Sequence, residues 1–321
     1  MFGDPARRQP QRIGFVLVPN FSMMAFVSAI EPLRSANRLS GRELYHWQLY
    51  SADGAEVPAS NGIAVVPDAA VNEFVGPATV VVVAGLEVTD YNERRVMSAL
   101  RRLARHGTDI GGICTGTYVL ARAGLLKGYR STIHWENIPG LMEAFPQLEV
   151  SANLYEIDRD RFTCSGGTAP LDLMLHLIAR QHGSELGARV AEQFMHGIPR
   201  QPDSPQRWSL AHRLHVSHPR IIAAIGQMEA NLEQPLSRHE LAASVGVSLR
   251  QLERLFRKYL GQPPARYYLD LRLHRAQVLL SQTTLSVLEV ATACGFASAS
   301  HFSQRYRALY GWPPRAERQP G

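Results

Sequence analysis

Cysteine is scarce in this chain, and long hydrophobic runs are missing. The three cysteines, Cys114, Cys164 and Cys294, show no CxxC spacing, which argues against a disulfide framework or a zinc site and fits a reducing cytoplasm. No run of about 18 apolar residues occurs, so no membrane span is predicted. The first residues, MFGDPARRQPQR, lack the apolar core of a signal peptide and predict a flexible arm over residues 1–11. We therefore expect a cytoplasmic protein without a metal, a cofactor or a membrane partner.

Positive charge is concentrated in the last third of the chain. The 321 residues are 45% hydrophobic, which is enough for more than one domain with its own core. Residues 200–321 contain 16 of the 34 Lys and Arg but only 8 of the 28 Asp and Glu, whereas residues 1–199 are slightly acidic. Neutralisation of nucleic-acid phosphates requires such a basic excess, so the distribution favours a DNA-binding C-terminal part.

The same pattern occurs twice in this basic part. Residues 241–264 read LAASVGVSLRQLERLFRKYLGQPP, and residues 290–314 read VATACGFASASHFSQRYRALYGWPP. Each copy predicts an amphipathic helix, a turn containing glycine, and a second helix with polar and basic residues. This is the pattern of a helix-turn-helix, whose second helix enters a DNA major groove. Double-stranded DNA is therefore the predicted partner of this part.

Two recognition helices are predicted, at residues 248–260 and 298–311. In the first, Leu252, Leu255 and Phe256 form a buried stripe, and Arg250, Glu253 and Arg254 project from the opposite face. Arginine pairs with guanine and glutamate accepts from cytosine, although each arginine could equally contact a phosphate. In the second helix, Ser300, Ser303 and Gln304 are predicted to face outward, with His301 nearer the phosphates or the rim of the groove.

Strands and helices alternate in the first part of the chain. A continuous apolar run predicts a strand at residues 13–18, and the β-branched run at residues 79–85 predicts the clearest central strand. Further strands are expected at residues 45–51, 63–66 and 109–114, with helices at residues 22–37, 89–107 and 115–128, the last broken by Gly124 and Gly128. This order predicts an open parallel α/β sheet with flavodoxin-like layering, followed by an all-α domain. A binding site is expected at the carboxyl ends of the strands.

Cys114 stands where a predicted strand turns directly into a helix. Gly111 and Gly112 precede it and Gly116 follows, which is typical of a nucleophile elbow, where a sharp turn needs small neighbours. A helix N-terminus lowers the pKa of a thiol, so Cys114 is a candidate reactive residue. The alternative is a small buried cysteine that closes the floor of a pocket.

A second strand-to-helix turn leads to Thr168, which opens the next helix and is a further candidate for the pocket. The helix at residues 184–196 could pack in a dimer, and the Pro-rich segment that follows predicts a linker. The expected organisation is a sensing domain at residues 12–196, a linker at residues 197–215, a DNA-binding domain at residues 216–316 and a tail at residues 317–321.

The segments GGICTGTYVLARAGLLKG (111–128) and STIHWE (131–136), with the helix holding Glu31, resemble the class I glutamine-amidotransferase-like fold of the PfpI superfamily. The resemblance covers about residues 12–195. It implies that an elbow cysteine is joined by a histidine and by an acid from the first helix. The matching positions are Cys114, His134 and Glu31.

The repeated part resembles the AraC/XylS transcription regulators over about residues 216–316. That resemblance implies base readers at Arg250, Glu253 and Arg254 and at Ser300, Ser303 and Gln304. The two parts together resemble the AraC-type regulators with an amidotransferase-like sensor. The segments at residues 18–47 and 162–183 are similar to members that sense glycine betaine, carnitine and related amino-acid derivatives.

Three uses of the first domain remain open on the residues alone. An enzyme would use Cys114 as a nucleophile with His134 as base, and a redox sensor would use an exposed thiolate. A ligand sensor would bind a carboxylate at the helix that starts at Thr115, and a cation beside Glu31 and Trp135, Phe21 or Trp47. A fused DNA-binding domain favours the sensor, because a regulator gains nothing from destroying its effector.

The sequence thus predicts a transcription regulator. The resemblance implies that it is a dimeric activator of a catabolic operon and that it works with RNA polymerase. Its effector is expected to be a small zwitterion such as a betaine, carnitine or an amino acid. The predicted ligand-binding residues are Glu31, Cys114, Thr115, His134, Trp135 and Thr168.

Overall fold

The computed structural model describes residues 4, 10–74 and 76–318 of the chain. The chain divides into two compact units between Gln206 and Arg207, and each is described by itself. The predicted arm over residues 1–11 and the tail over residues 317–321 lie largely outside the described residues. No helix of the described part has the length and apolar character needed to cross a membrane.

The first unit is built around a mostly parallel sheet of seven strands. The strands of this unit are β1 Gln11–Leu17, β2 Tyr45–Ser51, β3 Val57–Pro58, β4 Ala64–Val65, β5 Ala69–Ala70, β6 Thr79–Ala84, β7 Asp109–Cys114, β8 Arg130–Thr132, β9 Glu149–Ser151, β10 Tyr155–Asp158 and β11 Arg161–Cys164. The order in the large sheet is β10-β11-β7-β6-β1-β2-β5, and every pair is parallel except β10 with β11. This confirms the predicted open α/β sheet.

Helices cover both faces of this sheet. They are α1 Met23–Ser40, α2 Arg94–Arg105, α3 Gly116–Arg122, α4 Ile138–Ala144, α5 Ala169–His182 and α6 Ser184–Gln193. Alternate residues of one strand enter different cores: Val81 and Val83 pack in the core with α1, α5 and α6, while Val80 and Val82 pack in the core with α2 and α3. A strand buried on both faces must be apolar throughout, which explains the run TVVVVA.

Three elements of the first unit differ from the prediction. The helix expected from residue 89 begins at Arg94, because the carbonyls of Thr89 and Tyr91 accept hydrogen bonds from Arg122 and are held in turns. The helix expected to reach residue 128 ends at Arg122, before Gly124 with φ +74°. The strand expected at residues 63–66 is reduced to β4, which pairs only with β3.

In the second unit, the described residues form helices and no strands. They are α7 Leu210–Leu214, α8 Pro219–Ala230, α9 Arg238–Ser244, α10 Leu249–Leu260, α11 Pro264–Gln282, α12 Val287–Ala293 and α13 Ala299–Tyr310, followed by a 3-10 turn at Pro314–Arg318. They form two cores, and α11 contributes to both, with Tyr268 in the first and Leu273 in the second. The two predicted helix-turn-helix units are therefore present, α9 with α10 and α12 with α13.

The internal repeat extends to the helix ends. A capping box starts each supporting helix, Ser237 with Glu240 and Ser286 with Glu289, so that the first backbone N–H groups are satisfied in both copies. The second turn is one residue longer, since α10 is capped two residues after Gly246 and α13 three residues after Gly295. The additional residue lies between the supporting helix and the recognition helix of the second copy.

The predicted linker at residues 197–215 does not behave as a free segment. Its first part, up to Gln206, is hydrogen-bonded to the first unit, and its last part forms α7, which packs on α8. Proline and polar residues suggested a linker, but the same polar side chains find partners on the folded domain. The segment that separates the two units is therefore shorter than the predicted linker, and the division lies between Gln206 and Arg207.

Candidate functional site

Cys114 occupies a strained turn at the carboxyl end of β7. Its φ of +58° is unusual for a residue with a side chain, and the next residues lead directly into α3. Glycine is required at Gly116, where a Cβ atom would lie 2.1 Å from the carbonyl oxygen of Val82 on the neighbouring strand. The sharp strand-to-helix turn expected from the surrounding glycines is therefore present.

His134 and Gly166 enclose the Cys114 side chain. The backbone N–H of His134 donates to the carbonyl oxygen of Cys114 at 3.4 Å. A Cβ atom on Gly166 would lie 3.0 Å from the Sγ atom of Cys114 and 2.9 Å from Cδ2 of His134, so the backbone of Gly166 approaches both side chains. Three loops at the same edge of the sheet thus meet around one thiol, which is itself only 8% exposed.

The electrostatics of this pair do not favour a thiolate. Burial raises the pKa of Cys114 to about 11, the hydrogen bond from the backbone of Thr115 lowers it only partly, and the charge of Glu136 raises it further. Burial also lowers the pKa of His134, against the opposing effect of Glu136, whose Oε2 lies 3.8 Å from Nδ1 of His134. At neutral pH the site therefore holds a thiol beside a neutral imidazole.

Alkylation of Cys114 by iodoacetamide is expected to be slow at pH 7 and to accelerate about tenfold per pH unit up to pH 9. The reason is that a pKa of about 11 leaves about one thiol in ten thousand ionised at pH 7. Mass spectrometry of the Cys114 peptide measures the rate, and Cys114→Ser supplies the background. A rate that is already maximal at pH 7 would show a reactive thiolate instead.

Thr115 is committed to the structure of the turn. Its Oγ1 donates to the carbonyl oxygen of Gly85 at 2.6 Å, which fixes α3 to the end of β6, and the residue is buried. Its backbone N–H points at the sulfur of Cys114. The hydroxyl is therefore not presented to a ligand, and the contribution of Thr115 to the site comes from its main chain.

Glu31 pairs with a residue of its own helix. Glu31 lies nine residues after Ser22, the N-cap of α1, and thus about 13 Å along the helix from its start at the edge of the sheet. Its carboxylate accepts from Nε and Nη2 of Arg34 at 2.8 and 2.6 Å. Among the described residues, the acid that acts on both Cys114 and His134 is Glu136. The place of Glu31 in the Cys–His–Glu31 cluster stays a prediction, and Glu136 is a second candidate for the acid.

The remaining predicted ligand-binding residues are distributed around the same edge. Trp135 is half-buried, with its ring centroid 5.7 Å from that of His134. Thr168 is exposed at the start of α5, and its Oγ1 accepts from Nη2 of Arg200 at 2.8 Å. Phe21 is fully buried against Phe26 and contributes to the core.

Two polar residues on this edge were not predicted. Asn20 and Glu87 have φ values of +61° and +57°, and Nδ2 of Asn20 donates to Oε2 of Glu87 at 2.7 Å. Gly85 lies between them, where a Cβ atom would be 2.1 Å from the carbonyl oxygen of Asn20. Strained residues cluster at functional sites, and here they bring the loops after β1 and β6 together beside Cys114. Because these contacts join residues more than 60 positions apart in the chain, no local sequence pattern predicts them.

The recognition helices present most of the predicted base readers. Arg250 and Arg254 are exposed on α10, and Glu253 is half-buried with Oε1 3.8 Å from Nη1 of Arg238. Leu252 and Phe256 are fully buried below them, so the helix is held by one face and free on the other. This is the arrangement that a major-groove helix needs.

The second recognition helix is less charged. Its exposed residues include Ser300, His301 and Gln304, while Ser303 is half-buried. Nε of Arg305 donates to Nε2 of His301 at 3.2 Å. A cavity of about 820 Å³ opens beside the start of this helix; its lining residues are Ser286, Val287, Leu288, Ala299, Ser300, Ser303, Pro313, Pro314 and Arg315.

Arg254→Ala is expected to weaken binding to a selected DNA site by about 1–3 kcal/mol and to relax the base preference at one position. The matched variant is Arg257→Ala, which removes an equally exposed arginine nearer the C-terminal end of the same helix. We expect Arg257→Ala to weaken binding to all sequences equally. Binding-site selection with each variant measures the preference, and an unchanged preference for Arg254→Ala would assign that residue to a phosphate.

Comparison with known proteins gives matches for both units. The model of the DJ-1/PfpI family matches residues 11–180, and that of a helix-turn-helix domain matches residues 241–320. The HTH-type transcriptional regulator GbdR of Pseudomonas aeruginosa is 50% identical over 315 residues, covering 98% of this chain and 86% of that protein. The HTH-type transcriptional regulator CdhR of the same species is 48% identical over 308 residues, covering 96% and 91%.

A solved structure is also similar to this chain. The crystal structure of an AraC family transcriptional regulator from Pseudomonas putida is 31% identical, covers 58% of this chain and 100% of that chain, and superimposes with a TM-score of 0.54.

Proposed function

The chain belongs to the AraC-type helix-turn-helix transcriptional regulators with an N-terminal DJ-1/PfpI domain, and from this premise we propose that it activates a catabolic operon when a small zwitterionic amine binds beside Cys114. That it is a DNA-binding regulator rather than an enzyme follows from its relatives. We propose the ligand class, the activation of transcription and a cytoplasmic place of action.

The enclosed thiol is the observation that carries the proposal. A catalytic cysteine must ionise, but Cys114 is buried, has a raised pKa and faces a neutral His134. The edge of the sheet nevertheless keeps the polar, strained loops of a binding site. Such a site suits recognition without turnover.

A quaternary ammonium fits the residues next to His134. Trp135 offers an aromatic face and Glu136 a carboxylate, and a cation is attracted by both. The carboxylate of the same ligand would be drawn to the positive N-terminal end of α3, beside the Thr115 N–H that is directed at the sulfur of Cys114. This division of roles replaces Glu31 by Glu136 as the acid that neutralises the cation.

The test is a thermal-shift panel of glycine betaine, dimethylglycine, carnitine, choline and common amino acids on the full chain. A ligand at 100 times its dissociation constant should stabilise the first unit by about 2.7 kcal/mol. Glu136→Gln should weaken the affinity for the responding compound about fivefold or more, and Glu31→Gln serves as the matched control with no change in affinity. No response from any compound would overturn the ligand class.

Two further partners belong to the proposal. We propose that the chain forms a homodimer and contacts RNA polymerase. The buried face of α6, with Val190 and Ala191, packs within the first unit, so a dimer formed through α6 would use its other face. Sedimentation of the full chain with and without DNA tests the dimer.

The hydrolase and redox alternatives both need a thiolate at Cys114. The raised pKa of Cys114 therefore removes the support for both. Peroxide should leave both the thiol titre and the DNA affinity unchanged over the time in which an exposed thiolate would oxidise. A loss of DNA affinity that depends on Cys114 would replace the ligand sensor by a redox sensor.

A further inference from the structure

The segment that leads from the first unit to the DNA-binding unit is strapped onto the first unit. We call residues 196–206 the strap. Its first anchor is Asp172 of α5, whose side chain is fully buried. This carboxylate accepts from Nε2 of His196 at 2.8 Å and from the backbone N–H of Arg200 at 2.8 Å, and its other oxygen accepts from Nε and Nη2 of Arg200 at 2.9 and 2.6 Å.

The second anchor is Gln206, the last residue of the first unit. Its Nε2 lies 2.9 Å from Oγ1 of Thr132, 2.9 Å from the carbonyl oxygen of Ile133 and 2.8 Å from that of Asn153. Between the anchors, the carbonyl oxygen of Pro202 accepts from the backbone N–H of Leu154 at 2.9 Å. The strap is therefore held along its length by specific hydrogen bonds.

Each anchor contacts a loop that encloses Cys114. We call the residues around His134 and Gly166 the walls of the candidate site. Ile133 directly precedes His134, which lies against Cys114. Nη2 of Arg200 also donates to Oγ1 of Thr168, two residues after Gly166, whose backbone closes over the thiol. The two loops that enclose Cys114 are thus the loops that hold the strap.

We infer that the strap transmits occupancy of the Cys114 site to the chain that enters the DNA-binding unit, with Gln206 as the positioning residue. A ligand that fixes the His134 and Gly166 walls strengthens both anchors, and by linkage a bound strap stabilises the walls. The inference rests on the proposed function for the identity of the site, but the coupling of strap to walls has its own test.

The first test needs no ligand and compares Gln206→Leu with Gln201→Leu. Gln201 is an exposed residue of the same strap, so its replacement is a matched control. In the full chain, Gln206→Leu should accelerate amide exchange of Leu154 about tenfold, because the loss of Gln206 frees the end of the strap. It should also accelerate alkylation of Cys114 several-fold at fixed pH, since the wall at His134 loosens.

The alkylation rate separates coupling from a merely local role. Faster exchange at Leu154 with an unchanged Cys114 rate would overturn the inference, because the strap would then be attached without acting on the site. Unchanged exchange would overturn it as well, since Gln206 would not hold the strap. Circular dichroism of both variants confirms that they fold.

The second test uses glycine betaine at saturating concentration. It should slow amide exchange of Leu154 in the unsubstituted chain and in Gln201→Leu, but not in Gln206→Leu. A chain that glycine betaine stabilises without any effect on Leu154 overturns the strap inference alone. A chain with no thermal response to the amine panel overturns the proposed ligand class, while the first test still decides whether strap and site are coupled.

Discussion

Asp172→Ala is expected to lower the free energy of unfolding of the first unit by about 3 kcal/mol. The substitution leaves four strap hydrogen bonds without their acceptor, including that of the backbone N–H of Arg200. Two charge-assisted partners are lost at a fully buried carboxylate. Because the side chain of Arg200 is 40% exposed, water recovers part of the loss, which keeps the effect below that of an entirely buried pair.

The matched control is Asp203→Ala, which removes an exposed carboxylate from the same strap. It should change the stability by less than about 0.5 kcal/mol. Since two units unfold in one chain, hydrogen exchange read separately on peptides of each unit is the suitable measurement. Equal effects of the two variants would mean that Asp172 does not anchor the strap.

Gly295→Ala is expected to destabilise the second unit by about 2–4 kcal/mol, whereas Gly246→Ala at the matching turn should cost about 1 kcal/mol. Both glycines have a left-handed φ, +72° and +65°. Only at Gly295 would a Cβ atom collide with its surroundings, at 2.6 Å from Cγ of Pro235 and 2.7 Å from the carbonyl oxygen of Leu232. At Gly246 no atom lies within 4 Å of it.

The internal repeat makes this pair of variants its own control. Both change the same residue type in the same turn of a helix-turn-helix unit, so the difference isolates the contact with the segment after α8. Thermal unfolding, monitored by hydrogen exchange of peptides from the second unit, measures the stability loss of both variants. Similar losses of stability for the two variants would show that this contact is not tight in solution.

The elements that the sequence predicted well are those in which one local pattern decides the outcome. Val80 to Val83 could only be a strand buried on both faces, and the glycines around Cys114 could only serve a sharp turn. The recognition helices followed in the same way, because the repeat places Leu252 and Phe256 at helical spacing.

The parts that were missed depend on distance in space. The resemblance suggested Glu31 as the partner of Cys114, whereas in the structure the carboxylate of Glu31 accepts hydrogen bonds from Arg34 on the same helix. Gly166 approaches Cys114, and Glu136 approaches His134, through loops from other strands, and no periodicity of the sequence indicates these contacts. The strap was interpreted as a linker because its anchor, Asp172, stands among apolar residues in the first half of α5, 24 residues before His196.

α11 also determines how this half of the chain can be divided. Its 19 residues span about 28 Å, with Tyr268 completing the first core and Leu273, Ala276 and Leu279 completing the second. A truncated protein that ends at residue 283 would leave the second set of these side chains in water, and one that begins after α10 would do the same to the first core. We therefore expect that neither helix-turn-helix unit can be produced as a minimal soluble fragment by cutting on either side of α11, and that α10 and α13 fold together.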